Sequence, residues 1–195
     1  MVKFTPRKII GLWRMGVALD LHTLSSEFIG YDEFGHARFD TTRSPIGDLL
    51  YKLKYGSDKS AIEGIAEAAE KLLGKWKPAV DILVPLPSST RRPWQPVMVL
   101  AEAISERTGI RIVECVARTR DAPQLKNLFD LDERLKLLAG LHAIDKAATQ
   151  GKGLLLFDDL YRSGATMNAI TEVLYKKGKA KDVFALTVTR TRSNQ

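Results

Sequence analysis

The chain has 195 residues, a length that suits one domain of ordinary size. With 45% hydrophobic and 27% charged residues, 14 Gly and 8 Pro, it is neither a disordered nor a collagen-like chain. Thirty Lys and Arg against 23 Asp and Glu leave a net charge of +7, which favours anionic partners without choosing between nucleic acid and a phosphorylated substrate.

The longest apolar run, Gly153 to Phe157, is far short of the roughly 20 residues that span a bilayer, and Met1 to Arg14 has no signal-peptide core. No membrane association and a cytoplasmic location are therefore expected. The single cysteine, Cys115, can make neither an internal disulfide nor a cysteine-rich zinc site. It falls in a predicted strand and reads as core.

In chain order, Val17 to Ile29 and Ala37 to Phe39, separated by Tyr31 to Gly35, read as two strands joined by a turn. They form an N-terminal β-hairpin region over residues 1–44, an appendage on a core domain over residues 45–195. Pro45 opens a helix through Tyr55 that Gly56 stops. Ala61 to Trp76 keeps the three-and-four spacing of one buried stripe, with Glu63, Glu67, Glu70, Lys71 and Lys75 on the other face. Asp81 to Val84 is a short buried strand, followed by a helix from Pro96 to Arg107. Arg111 to Ala117 reads as a strand, Asp130 to Leu138 as a helix, and Leu154 to Phe157 as another buried strand. A helix from Thr166 to Lys177 and a strand from Val183 to Thr189 complete the order. Strands alternating with crossover helices predict an α/β fold, an open and mainly parallel sheet flanked by helices.

The densest chemistry lies at Leu154 to Thr166, where an apolar strand runs into Asp158-Asp159, a small-residue turn and a helix. Ligands of open α/β sheets sit beyond the carboxyl ends of the strands. A helix N-terminus there offers free N–H groups and the positive end of its dipole to a phosphate monoester. Gly164 permits close backbone approach, and Ser163 and Thr166 supply hydroxyl donors. A ribose between acids and phosphate makes the combination coherent. Asp158 and Asp159 would accept from its hydroxyls and favour the cation that develops as a group leaves the anomeric carbon.

This strand, acid pair and Ser-Gly-x-Thr turn resembles the 5-phosphoribosyl-1-pyrophosphate (PRPP) signature of type I phosphoribosyltransferases. The resemblance implies that Asp158 and Asp159 are catalytic and that Arg162, Ser163, Gly164, Ala165 and Thr166 hold the 5-phosphate. It also places the pyrophosphate loop at Ser88, Ser89, Thr90, Arg91 and Arg92, whose hydroxyls and guanidinium forks suit that anion. Mg²⁺ would arrive with PRPP and needs no cage of protein ligands. Within the class, Arg118, Arg120, Pro123, Gln124, Arg134 and Gly140 resemble the ComF-like pattern, as do Pro85-Leu86-Pro87 and the helix ending Lys54-Tyr55. Arg118, Arg120 and Gln124 would then lie on a flexible loop that closes over substrate. ComF proteins usually begin with a four-cysteine zinc ribbon; the hairpin stands in its place here, so no zinc is expected. Arg92-Pro93-Trp94-Gln95-Pro96 and Arg162 also depart from their pattern.

Two functions follow. One is an Mg²⁺-dependent transfer of the 5-phosphoribosyl group to a nitrogen nucleophile, a base or amine, with release of pyrophosphate. The other is a non-catalytic PRPP- or nucleotide-binding accessory protein of ComF type, linked to DNA uptake through a helicase or single-stranded DNA. A homodimer is compatible with either. His22, His36 and His142 are expected in structural or surface roles. The acceptor would be recognised by the hairpin as a hood, which carries no transferable code.

Overall fold

The computed structural model of the protein describes residues 2–56, 58–87, 95–119 and 141–192; the side chain of Arg118 lies outside that description. Its centre is a six-stranded sheet in the order β1 (Arg7–Lys8), β2 (Met15–Leu21), β10 (Asp182–Arg190), β9 (Gly153–Tyr161), β5 (Ile82–Pro85) and β6 (Arg111–Ile112). All neighbours pair in parallel except β1 with β2. The central strands are buried on both sides, which explains why their sequences are continuous apolar runs rather than alternating ones.

Strand alternation divides the core into two layers. Leu155, Phe157, Leu186 and Val188 face helices α1 (Pro45–Tyr55), α2 (Ser60–Trp76) and α3 (Pro96–Thr108), meeting Leu50, Leu53, Ile65, Leu100 and Ile104. Leu154, Leu156, Val183 and Ala185 face the other way. They pack on Met167, Ile170 and Leu174 of a C-terminal helix, Ala165–Lys176. A short helix α4 (Lys146–Thr149) precedes β9, so the C-terminal helix is α5.

The start of α1 is set by Ser44, whose Oγ accepts from Gly47 N–H at 2.9 Å and donates to Leu21 O at 2.5 Å. Pro45 occupies the first turn. A Cβ at Gly47 would lie 2.2 Å from His22 O, so glycine lets α1 press against the end of β2.

Two small sheets complete the described fold: the antiparallel hairpin β3 (Thr23–Tyr31) with β4 (Ala37–Arg43), and β7 (Val116–Arg118) with β8 (His142–Ile144). The N-terminal expectation needs correction. Val17 to Ile29 is two strands; β2 is a core strand hydrogen-bonded along β10, and the hairpin begins only at Thr23. Arg111 to Ala117 is likewise divided. After Ile112 the chain leaves the main sheet, and Cys115 sits buried between β6 and β7 rather than within a strand. Burial pushes its thiol up to about 11. The helix expected at Asp130 to Leu138 lies outside the described residues.

Candidate functional site

The carboxyl end of β9 carries the site. β9 continues past its apolar half through Asp158, Asp159 and Leu160 to Tyr161, so the acids extend the strand instead of opening the turn. Alternation therefore separates them. Asp158 follows Leu154 and Leu156 onto the α5 face, where it lines a cavity of about 210 Å³ with Arg162, Ser163, Gly164, Ala165 and Thr166. Asp159 follows Leu155 and Phe157 toward α1, where its Oδ2 meets Lys54 Nζ at 2.6 Å. Both side chains of that pair are less than one-fifth exposed, at 19% for Lys54 and 17% for Asp159.

Electrostatics follow from this division. Burial, and then the charge of Asp159, push the Asp158 carboxyl up to about 7; the Asp159 N–H donated to its Oδ1 at 2.8 Å and the charge of Lys54 pull the other way. Asp158 thus changes charge near neutrality, beside the turn that the sequence assigns to phosphate. His22, at the junction of β2 and β3, is held below its ordinary value by burial and then by Lys54, Arg43 and Arg162. Its Nδ1 lies 3.2 Å from Thr189 Oγ1. Arg43 stacks its guanidinium 3.8 Å above the Tyr51 ring, fastening the end of the hairpin to α1.

Gly164 is the N-cap of α5 at φ 72° and ψ 2°, the left-handed region that glycine enters without strain. A Cβ there would sit 2.6 Å from Cε2 of Tyr161. That ring is itself fixed, because its hydroxyl donates to Ile10 O at 2.8 Å and its edge meets Trp13 at a centroid distance of 6.1 Å. The N-cap, Gly164, brings no side chain to the first turn of α5; Ser163 Oγ accepts from Ala165 N–H at 3.5 Å, a long and readily exchanged hydrogen bond. Asn168 braces the same turn from outside, accepting from Leu12 N–H at 2.7 Å.

The structure brings Asp158 and Arg162 through Thr166 together and sets Asp159 on the opposite face of its strand. Ser88, Ser89, Thr90, Arg91, Arg92, Arg120 and Gln124 lie outside the described residues, as does the Arg118 side chain. Sequence reasoning did not assign Lys54 to the site. Its signal was the Lys-Tyr ending of α1, noted only as a resemblance. Tyr161 sits inside the motif, where the sequence gives it no role of its own. Among the described residues no group of three or more His, Cys, Asp and Glu is placed to hold a metal ion, and no helix is long and apolar enough to cross a membrane.

No family model matches the chain. The competence protein ComFC of Bacillus subtilis (strain 168) is 26% identical over 154 residues, which cover 73% of this chain and 59% of ComFC. The chain thus spans about three-fifths of the length of that curated relative. Among solved structures, glutamine PRPP amidotransferase from B. subtilis, complexed with ADP and GMP, matches with a TM-score of 0.50 at 14% identity, over 80% of this chain and 34% of that one. Adenine phosphoribosyltransferase from Saccharomyces cerevisiae matches with a TM-score of 0.47 at 16% identity, over 84% of each chain. The mainly parallel sheet with helices on both faces has the type I phosphoribosyltransferase fold.

Proposed function

We propose that the chain binds PRPP at the carboxyl end of β9 and transfers its 5-phosphoribosyl group to a nitrogen nucleophile, releasing pyrophosphate. The observation that carries this reading is the N-terminus of α5, entered through a left-handed Gly164 with no side chain of its own, in one cavity with Asp158. A 5-phosphate would take the N–H groups of the first turn with the hydroxyls of Ser163 and Thr166. The ribose hydroxyls would then reach Asp158, and on the other side of the strand Asp159, which Lys54 keeps in place.

Transfer breaks the bond from the anomeric carbon to the pyrophosphate oxygen and forms one to the acceptor nitrogen, which sheds a proton. Positive charge builds on the sugar between these events, and an ionised Asp158 nearby stabilises it. Mg²⁺ would be carried on pyrophosphate oxygens, as that ion prefers substrate oxygens and water to a protein cage. The chain's own contribution is to orient the sugar and neutralise phosphate.

Thermal-shift and calorimetric titration with PRPP, with and without Mg²⁺, tests the binding half of this proposal. Wild-type protein should bind PRPP, and Asp158→Asn with Asp159→Asn should not; equal binding by both proteins would remove the site assignment. Pyrophosphate release across a panel of nucleobases and ammonia tests the transfer half. PRPP binding without turnover on any acceptor would leave a non-catalytic binding protein instead.

A further inference from the structure

A larger cavity, about 730 Å³, opens at the other end of α1, between the N-terminal segment, the start of α1 and the C-terminal half of α2. Its volume falls within the range of about 300–1,000 Å³ of small-molecule sites. Lys3 and Arg7 line it from the N-terminal segment and Lys71 and Lys75 from α2, one helical turn apart. Among the described residues, Lys3, Arg7 and Lys75 have no ion-pair partner. Lys3, Arg7 and Lys75, gathered at one concavity without ion-pair partners among the described residues, repel one another, a cost that a polyanion between them would reverse.

Among the described lining residues the one carboxylate, Asp20, is outnumbered by the cations. Asp20 is 4% exposed and already accepts from Thr5 N–H at 3.1 Å and Leu21 N–H at 2.8 Å, fastening the N-terminal wall to β2. The rest of the lining has a different character. Val2, Phe4, Leu24 and Leu72 supply apolar surface, with Val2 and Phe4 packed against the core. Apolar walls with several cations suit a ligand that has a flat, weakly polar body and more than one negative charge. A fatty acid would leave most of the cations unanswered, and inorganic phosphate would leave the apolar walls wet.

We propose that this cavity, formed by residues 2–7, the start of α1 and Lys71 and Lys75 of α2, is a second ligand site that takes a nucleoside diphosphate or triphosphate. It is separate from the cavity at Asp158. α1 lies between the two, with Ser44 and Pro45 at the second cavity and Lys54 near the Asp158 end, and eleven residues of helix rise about 16 Å.

ADP is the probe, titrated calorimetrically into the full chain, with adenosine, pyrophosphate and palmitate as separate arms. Lys71→Glu with Lys75→Glu should weaken ADP binding by more than tenfold, whereas the milder Lys71→Gln with Lys75→Gln should weaken it less. Arg162→Glu, which alters the turn before α5, should leave ADP affinity within about twofold. All variants should keep the wild-type circular dichroism spectrum. Unchanged ADP affinity in both lysine variants would overturn the proposal, as would loss in Arg162→Glu, which would put ADP on the α5 turn. Absence of ADP binding to the wild type at low salt, or tighter binding of palmitate than of ADP, would overturn it too. None of these outcomes depends on phosphoribosyl transfer, so this site and the PRPP site can fail separately.

Discussion

Replacing Asp158 with Asn should make the protein more stable, and increasingly so as pH rises. The carboxyl is pushed from an ordinary 3.8 to about 7 by burial and by Asp159. For an acid whose value is raised on folding, no cost exists below the unfolded value. The cost grows as pH climbs through that value and is complete above the folded one. The separation converts to about 4 kcal/mol above pH 7 at about 1.4 kcal/mol per pH unit. Water reaching this partly exposed side chain reduces it to about 2 kcal/mol. Part of the cost is already present at pH 5, so between pH 5 and pH 8 the Asn variant should gain about 1 kcal/mol on the wild type. That corresponds to about 3 °C in Tm for a chain of this length. Asn keeps an oxygen to accept from Asp159 N–H, and the titrations of groups remote from Asp158 cancel in the comparison. Differential scanning fluorimetry of both proteins at pH 5, 6, 7 and 8 reads the difference directly. A gap between the two Tm values that stays constant or narrows with pH would refute the placement of Asp158 in a desolvated, acid-paired position.

Lys54→Met leaves Asp159 without its partner at a mostly buried position and should cost about 2 kcal/mol in urea denaturation, most of it recovered in Lys54→Met with Asp159→Leu. Gly164→Ala meets both a positive φ and the Tyr161 ring, so it should lose about 1–3 kcal/mol, read as a lower urea midpoint. Its loss should shrink when Tyr161→Ala removes the ring. Cys115, 3% exposed and with its thiol pushed up to about 11, should react with Ellman's reagent at pH 8 only as fast as the protein opens, and at once in denaturant.

The site was legible where its chemistry is local. Strand, acids, turn and helix at Leu154 to Thr166 are contiguous, and each piece has its own signature: an apolar run, a glycine at the N-cap, a helical stripe. What the acids face was not legible as such, although strand alternation predicts that neighbours diverge once β9 is known to extend through them. Lys54 depends on how α1 docks, more than a hundred residues away in sequence. The division between β2 and β3 has a similar cause. Val17-Ala18-Leu19 is a short apolar run of the buried kind, yet it is followed without Gly or Pro by the exposed strand from Thr23, so nothing local marks the break at His22. The break comes from tertiary bonding: His22 N–H donates to Arg190 O, and α1 begins against the same corner.

The place of β2 bears on how the chain folds as well as on its final form. Its parallel neighbour in the central sheet is the last strand, β10, with Val17 opposite Leu186 and Ala18 opposite Thr187. β2 ends at Leu21 and β10 begins at Asp182, so on the ribosome β2 must wait with its parallel edge unpaired while everything between them is made. Closing so long a loop is slow, and a waiting apolar edge invites association with other chains. During that interval β1, which precedes β2 in the chain and pairs antiparallel with it, covers its opposite edge.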